Sequence, residues 1–227
     1  MKTSDPNVPG APGRKARADG DATRQRILDV AGDIFAELGY EHATSKAICA
    51  RAETNMAAVN YHFGGKEGLY QAVLVEVHRR LISRDTLSAI AASDASPADK
   101  LGGVIDAFIL GAVDGGWHLR IYVREMLGPS ATLLAALQQE ALPKATLLRR
   151  MLSDFTGIPE QEPALACCQL NFFAPLAMLL LADRQVLGRM LTDIWRDPDA
   201  LRQHLKTYAL SGLSAVAAAY AGRASAS

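Results

Sequence analysis

Apolar residues recur at helical spacing along almost the whole chain, and this pattern constrains the fold more than any other feature. No segment shows the strict alternation of apolar and polar residues that a half-buried strand requires. The sequence therefore predicts an all-α fold of about nine helices. Two of the clearest stripes repeat at three or four residues: Ile27, Ala31, Ile34 and Leu38, then Leu69, Val73, Val77 and Leu81.

Helix-start and helix-stop residues divide the pattern into elements. Asp21 or Thr23 is expected to cap the first helix, and Gly39 to end it. Ser96-Pro97-Ala98-Asp99 combines a serine cap, a proline at the first helical position and an acidic third residue. The helix after Ser96 should bury Leu101, Val104, Ile105, Phe108 and Ala112, and Gly115-Gly116 should stop it. Later helices are predicted at 117–126, 130–155 with a kink or break at Pro143, 162–183 and 199–221.

Composition excludes several classes of protein. Hydrophobic residues make up 49% of the 227 residues, which is enough for a sizeable core. Lys+Arg and Asp+Glu both number 24, so overall charge gives no argument for nucleic acid. Three cysteines without CxxC spacing argue against a disulfide framework, and the first twenty residues lack the apolar region of a secretory signal. We therefore expect a cytoplasmic protein.

Residues 163–182 contain no charged side chain and are long enough to cross a bilayer. Gln169 and Asn171 lie inside this stretch, and Pro175 interrupts it. A lone span would leave both amides without partners in hydrocarbon, at several kcal/mol each. A helix buried in protein is the better interpretation, and no membrane partner is expected.

Residues 44–63 contain two short helical segments joined by a turn of about three residues. Thr44 or Ser45 can cap the first segment, whose inward residues are Ile48 and Ala52, and Asn55 can cap the second. Only Val59 and Phe63 are large inward residues in the second segment. This is the helix-turn-helix arrangement, whose second helix enters the major groove. The alternative from periodicity alone is a solvated helical hairpin in an unrelated bundle.

The flanks of this motif supply groups that typically contact phosphates: the hydroxyls of Thr44 and Tyr61, the ring of His62 and the ammonium of Lys66. Small residues at Ala57 and Ala58 allow close approach to base edges, and an asparagine amide matches adenine. Residues 14–66 carry eight Lys+Arg against seven Asp+Glu. We therefore expect modest non-specific affinity and dependence on two copies acting together.

The run from Thr23 to Leu69 resembles the N-terminal domain of TetR/AcrR-family transcriptional regulators. The A-x-x-x-F-x-x-x-G-Y run begins at Ala31, and the Y-H-F-x-x-K-E-x-L run begins at Tyr61. Two departures are Glu53-Thr54, where the family usually has Gly-Val in the turn, and Asn60, where tyrosine is common. A non-glycine residue at positive φ in this turn would cost about 1 kcal/mol.

The resemblance implies an operator of double-stranded DNA and carries the family's DNA contacts onto eight positions. Ser45 and His62, which flank these positions, complete the predicted DNA-binding set. That set is Thr44, Ser45, Asn55, Met56, Ala57, Ala58, Asn60, Tyr61, His62 and Lys66.

The resemblance also implies a helical C-terminal domain that binds a small effector and forms a homodimer through its last two long helices. Arg120 to Ser130 is similar to a region of the CecR-type subgroup. Polar and aromatic residues of this part are candidates for the pocket; the alternative is that the aromatic residues are core and that Arg124 pairs with a carboxylate. The candidates are Trp117, Arg120, Tyr122, Arg124, Gln169, Asn171 and Phe172.

Enzyme signatures are missing from the sequence: it has no H-E-x-x-H, G-x-S-x-G, G-x-G-x-x-G or Walker A motif. No metal or cofactor is expected, and Cys167-Cys168 is expected to pack rather than to act as a redox switch. The predicted domains are a tail at 1–20, a DNA-binding domain at 21–81, an effector and dimerisation domain at 82–222 and a tail at 223–227. The predicted function is a ligand-responsive homodimeric repressor; the rivals are a ligand-binding module that has lost DNA binding and an all-α enzyme.

Overall fold

The computed structural model describes residues 12–113, 115–181, 184–191, 194 and 196–224. These residues form α-helices, one π-helical turn and connecting loops, without strands, which confirms the predicted all-α class. The chain divides into two compact units, and the division falls between Val73 and Leu74, inside the fourth helix. The sequence prediction placed this boundary at residue 81.

The first unit contains α1 (Pro12–His42), α2 (Ser45–Arg51), α3 (Met56–Phe63) and the start of α4 (Lys66–Leu81). The stripe predicted for α1 is buried at Ile27, Ala31 and Ile34, whereas Leu38 is 49% exposed. Leu69 and Val73 of α4 are fully buried. Phe35 packs edge-on against Tyr70, with ring centroids 4.8 Å apart.

Helix α1 starts earlier than the sequence predicts. It begins at Pro12, so residues 12–20 of the predicted tail are helical, and residues 1–11 lie outside the described part. Neither Asp21 nor Thr23 is the cap; the Thr23 hydroxyl instead donates to the carbonyl oxygen of Asp19 at 2.9 Å. A helix that already exists extends at little cost per residue. Gly39 has a φ of 78° and breaks the helical path before His42, at the position where the sequence predicts the helix to end.

The second unit contains the rest of α4 and eight further helices. In order they are α5 (Arg84–Ala92), α6 (Pro97–Val113), α7 (Trp117–Leu127), α8 (Leu133–Ala136), α9 (Leu142–Thr156), α10 (Pro163–Leu181), α11 (Arg184–Met190) and α12 (Pro198–Ala224). The π-helical turn, Leu137–Ala141, joins α8 to α9. Ion pairing links two of these helices, because Lys206 Nζ of α12 lies 2.6 Å from Asp106 Oδ2 of α6.

Local signals predicted most of these boundaries. The Ser96 hydroxyl oxygen accepts from the Asp99 amide at 3.2 Å, and all five residues predicted for the buried face of α6 are buried. The π turn lies directly before Pro143, which lacks an N–H and would clash with a carbonyl one turn back. Two short helices, α5 and α11, were not predicted. Ser83 could have indicated the start of α5, because its hydroxyl oxygen accepts from the Thr86 amide as a helix cap. Of the predicted C-terminal tail, 223–224 belongs to α12, and 225–227 lies outside the described residues.

Helix α10 is, among the described residues, the one helix long and apolar enough to span a bilayer by length and composition. Its interior proline is Pro175, as the sequence shows. In the second unit this helix packs against α6, α9 and α12. Gln169 is hydrogen-bonded on both sides: its amide donates to Ala145 O at 3.0 Å, and its oxygen accepts from Arg149 Nε at 3.2 Å. Asn171 is exposed, Cys168 is buried and Cys167 is exposed.

Candidate nucleic-acid interface and ligand cavity

Two side-chain caps fix where the two helices of the helix-turn-helix motif begin. The Thr44 hydroxyl oxygen accepts from the Ala47 amide at 3.1 Å and starts α2. Asn55 Oδ1 accepts from the Ala58 amide at 3.0 Å and starts α3. Ile48, Ala52 and Val59 are fully buried beneath the motif. Caps and burial together hold the two helices on the first unit.

Glu53 is the strained residue of the turn between α2 and α3. Its φ of 50° is the only positive value for a non-glycine residue in the described part of the chain. The Thr54 amide donates to Cys49 O at 3.0 Å, which closes the turn. The sequence departure at Glu53-Thr54 therefore leaves a left-handed turn in place, with the conformational cost expected for a side chain there.

The outward face of α3 presents most of the predicted contact residues. Tyr61 is 85% exposed and Met56 is 44% exposed, and Ala57 and Asn60 are also exposed. Because Asn55 Oδ1 caps the helix, Asn60 is the better candidate for a two-bond contact to adenine. Thr44 and Asn55 are exposed as well, whereas Ser45, Ala58, His62 and Lys66 are half-buried.

Aromatic rings position two further members of the predicted set. Lys66 Nζ, at the start of α4, lies 4.4 Å from the centre of the Tyr40 ring. Such a contact holds the cation near the ring face without neutralising it. The Tyr61 and His62 rings meet edge-on, with centroids 5.0 Å apart. These contacts restrict Lys66 at the start of α4 and His62 on α3, both within the first unit.

Other basic residues of the first unit have structural roles that sequence reasoning missed. Arg26 Nε donates to Ala52 O at 3.0 Å and secures the end of α2. Arg51 forms a 3.2 Å ion pair with Glu37, and the Arg24 guanidinium lies 5.1 Å from the centre of the Phe63 ring. No short-range signal predicts these contacts, because the partners are 14 to 39 residues apart.

The second unit contains a cavity of about 490 Å³, formed entirely by residues from His78 onwards. Its size lies in the range of roughly 300–1,000 Å³ typical of small-molecule sites. Three of the seven predicted pocket residues, Tyr122, Gln169 and Phe172, line it. The wall is otherwise mostly aliphatic and aromatic, including Leu87, Val104, Phe108, Leu148, Phe173 and Leu176.

The other four predicted pocket residues do not line this cavity. Trp117 is buried, and the Arg80 guanidinium lies 4.7 Å from the centre of its ring. Arg120 and Arg124 are exposed, one helical turn apart on the face of α7 away from Ile121 and Tyr122. Asn171 is exposed on α10, whereas Phe172 is buried. Residue type alone did not reveal which helix face is turned inward.

Sequence reasoning also missed two polar residues of the cavity wall, His78 and Lys144. Burial, together with the charge of Lys144, lowers the pKa of His78 to about 4, against an opposing contribution from Glu125. Burial lowers the pKa of Lys144, and Glu140 opposes that shift. His78 lies one helical turn after the buried Leu74 and next to the apolar stripe of α4, so its position could have been predicted from the sequence. A lysine is almost never fully buried unless it is paired, so no signal in the sequence indicated that Lys144 lines a cavity.

Two family models match this chain. Residues 27–73 match the model described as bacterial regulatory proteins of the tetR family, and residues 97–216 match the model of the C-terminal domain of the HTH-type transcriptional dual regulator CecR. The second match covers more than half of the chain. The chain belongs to the TetR family of transcriptional regulators.

Curated relatives match over less than a third of the chain. The regulator UidR of Escherichia coli K12 is 35% identical over 68 residues, which are 30% of this chain and 35% of UidR. SrpR of Pseudomonas putida is 43% identical over 61 residues, which are 27% of this chain and 29% of SrpR. The chain thus spans about a third of the length of the curated relatives that it matches.

Solved structures share the fold over almost the whole chain. A transcriptional regulator from Pseudomonas aeruginosa PAO1 superposes with a TM-score of 0.69 at 17% identity, over 89% of this chain and 95% of that one. FadR from Bacillus subtilis, solved in complex with stearoyl-CoA, has a TM-score of 0.64 at 18% identity, over 83% and 98%. The chain is thus a TetR-family transcriptional regulator with a helix-turn-helix motif.

Proposed function

We propose that the chain is a homodimeric repressor that binds a pseudo-palindromic operator and is released from it by a small molecule. The observation that carries the proposal is the exposed face of α3, where Met56, Asn60 and Tyr61 project from a helix anchored by Val59. Thymine methyl groups, an adenine edge and backbone phosphates are the matching partners for these side chains. Such a regulator acts in the cytoplasm, on the nucleoid.

Two exposed apolar faces support the homodimer. Leu170 and Met178 are 66% and 55% exposed on α10, and Tyr208 is 68% exposed on α12. The same two helices of a second copy would cover these faces in an isologous four-helix interface. Two recognition helices about 34–36 Å apart then fit successive major grooves. The cavity of the second unit supports a small-molecule effector.

The DNA-binding part is tested by fluorescence anisotropy with a labelled fragment of the DNA upstream of the chain's own gene. The double variant Asn60→Ala/Tyr61→Ala should lose affinity at least tenfold, since each base or phosphate contact contributes on the order of 1–3 kcal/mol. Gln138→Ala, which removes an exposed amide from the π turn of the second unit, is the matched control and should bind normally. Unchanged binding by the double variant would show that α3 is not the recognition helix.

Salt dependence and assembly test the rest of the proposal. The logarithm of affinity should fall with the logarithm of salt concentration, with a slope of about −0.9 per phosphate contacted. Met178→Glu should produce monomers in sedimentation velocity and weaken operator binding. Leu110→Glu is the matched control, because Leu110 is 70% exposed on α6. Dimers that persist in Met178→Glu contradict the proposed interface, and a wild-type protein that binds no DNA fits a module that retains only ligand binding.

A further inference from the structure

The cationic group in the cavity wall, Lys144, already has two hydrogen-bond acceptors and an ion-pair partner in the protein. Lys144 Nζ donates to His78 O at 2.6 Å and to Ile82 O at 2.9 Å, and it lies 3.4 Å from Glu140 Oε1. Two of the three ammonium donors are used in these hydrogen bonds, and Glu140 is an ion-pair partner without a hydrogen bond. The Glu140 side chain is 13% exposed, so its charge compensates that of Lys144 within the same environment.

The amide in the cavity wall is engaged in the same way. Gln169 donates to Ala145 O and accepts from Arg149 Nε, so both ends of its amide have protein partners. The Arg149 guanidinium also donates to Glu160 O at 3.1 Å. These bonds fix the orientation of the Gln169 amide, which keeps one further N–H for a ligand and carries no charge.

Buried charge near the cavity disfavours an anion. Glu125 is 4% exposed, and its carboxylate accepts from the Ser130 amide at 3.0 Å and from the Ser130 hydroxyl at 2.8 Å. Its charge acts on His78 across the same region. A carboxylate or phosphate in the cavity would therefore meet a lysine that is already compensated, with the carboxylates of Glu140 and Glu125 nearby. Burying a charge without its own partner is strongly unfavourable.

His78 and Tyr122 are the uncharged polar side chains of the cavity wall whose side-chain atoms have no hydrogen-bond partner among the described residues. Their rings meet edge-on, with centroids 5.9 Å apart, and both line the cavity. Within the described residues, neither side chain has a hydrogen-bond partner. Burial raises the pKa of Tyr122 and lowers that of His78, so near pH 7 the pair offers a hydroxyl donor and a neutral imidazole.

We propose that the cavity binds an uncharged, largely apolar molecule carrying one hydroxyl or carbonyl group, and that His78 and Tyr122 bind this group. The inference rests on the proposed function, because it names the chemical class of the effector. A fatty-acid carboxylate would find no uncompensated cation among the described residues that line the cavity.

The test uses the full-length protein and three probes of equal chain length: 1-decanol, decanoate and decylammonium. Isothermal titration calorimetry at pH 7 should give a dissociation constant for decanol at least tenfold below those of the two ions. Tyr122→Phe should weaken decanol binding about 3- to 10-fold, the effect of losing one hydrogen bond. Tyr40→Phe, at a half-buried tyrosine of the first unit that does not line the cavity, is the matched control and should bind decanol normally.

Three outcomes overturn the inference: decanoate or decylammonium binds at least as tightly as decanol, decanol does not bind up to its solubility limit, or Tyr122→Phe binds it unchanged. The comparison of the three probes on the wild-type protein remains a valid test even if a variant folds poorly. An operator-release assay with the same probes separates the two proposals. If decanol binds in a Tyr122-dependent way but does not release the protein from the operator, the cavity chemistry is supported and the effector-responsive function is contradicted. If decanoate alone releases the protein, the effector-responsive function is supported and the cavity chemistry is contradicted.

Discussion

Two glycines of α6 should respond in opposite directions to the same substitution. A Cβ added at Gly111 would lie 2.6 Å from the Arg80 carbonyl oxygen and closer still to that of Leu81. These are backbone atoms at the end of α4, so they cannot rotate away. A Cβ added at Gly102 meets only the flexible Lys206 side chain, at 3.6 Å. That distance is an ordinary van der Waals contact.

The expected magnitudes follow from these distances. In a helix interior alanine is favoured over glycine by about 0.8–1.0 kcal/mol, so Gly102→Ala should stabilise the protein by up to about 1 kcal/mol. Gly111→Ala gains the same propensity but forces α4 and α6 apart, and overpacking of this kind costs about 1–3 kcal/mol or more. The net effect should be a destabilisation of about 1–2 kcal/mol. The two variants should therefore differ by roughly 2–3 kcal/mol in the free energy of unfolding.

Thermal unfolding followed by circular dichroism measures this difference. For a chain of this size, 1 kcal/mol corresponds to about 2–4 °C in Tm. All samples need the same protein concentration, because association shifts the apparent stability. If Gly111→Ala is as stable as Gly102→Ala, then α4 and α6 do not approach backbone to backbone at Gly111, and the packing described for the second unit is wrong.

The remaining predictions concern single sites in each unit. Glu53→Gly should stabilise the motif by about 0.5–1 kcal/mol, because glycine removes the cost of a left-handed conformation but adds chain entropy to the unfolded state. Amide exchange in α2 and α3 should become slower. Glu53→Ala keeps a Cβ and should show neither effect. His78 has a folded pKa of about 4 against 6.5, so the unfolded state binds more protons between these values. Stability measured by urea unfolding should be fully present above pH 6.5 and fall by on the order of 3 kcal/mol towards pH 4, and His78→Gln should flatten that slope. Lys144→Met should lower the free energy of unfolding by about 3–5 kcal/mol, because it leaves the Glu140 carboxylate uncompensated. The double variant Glu140→Gln/Lys144→Met should recover part of this loss of stability. Equal losses in the single and the double variant would contradict the ion pair.

The helix-turn-helix motif could be predicted because its determinants are local. Thr44 and Asn55 cap helices whose first amides lie three residues away, and Gly39 supplies a positive φ within its own turn. The residues left outside the apolar pattern of α3 are the ones that the structure exposes. Tyr61 is the clearest case, because its position lies outside the inward stripe of Val59 and Phe63 and its large ring is exposed.

The cavity was harder to predict because its wall is assembled from distant segments. Tyr122 and Arg120 differ by two positions on one helix, and only packing decides that the tyrosine is turned inward. The proposed dimer faces on α10 and α12 stay predictions, as does the choice of effector. Apolar composition predicted long buried helices there, but composition does not say which face meets which neighbour.

By itself the sequence determined most of the helices, the caps at Thr44, Asn55 and Ser96 and the motif that presents α3, since each depends on contacts within about four residues. Only the tertiary structure decided how the buried polar groups are satisfied. Lys144 finds the carbonyl oxygens of His78 and Ile82 across 66 and 62 residues of chain, and Gly111 admits the end of α4 thirty residues away. A buried donor must have an acceptor, but the chain segment that supplies it is set by how the helices pack.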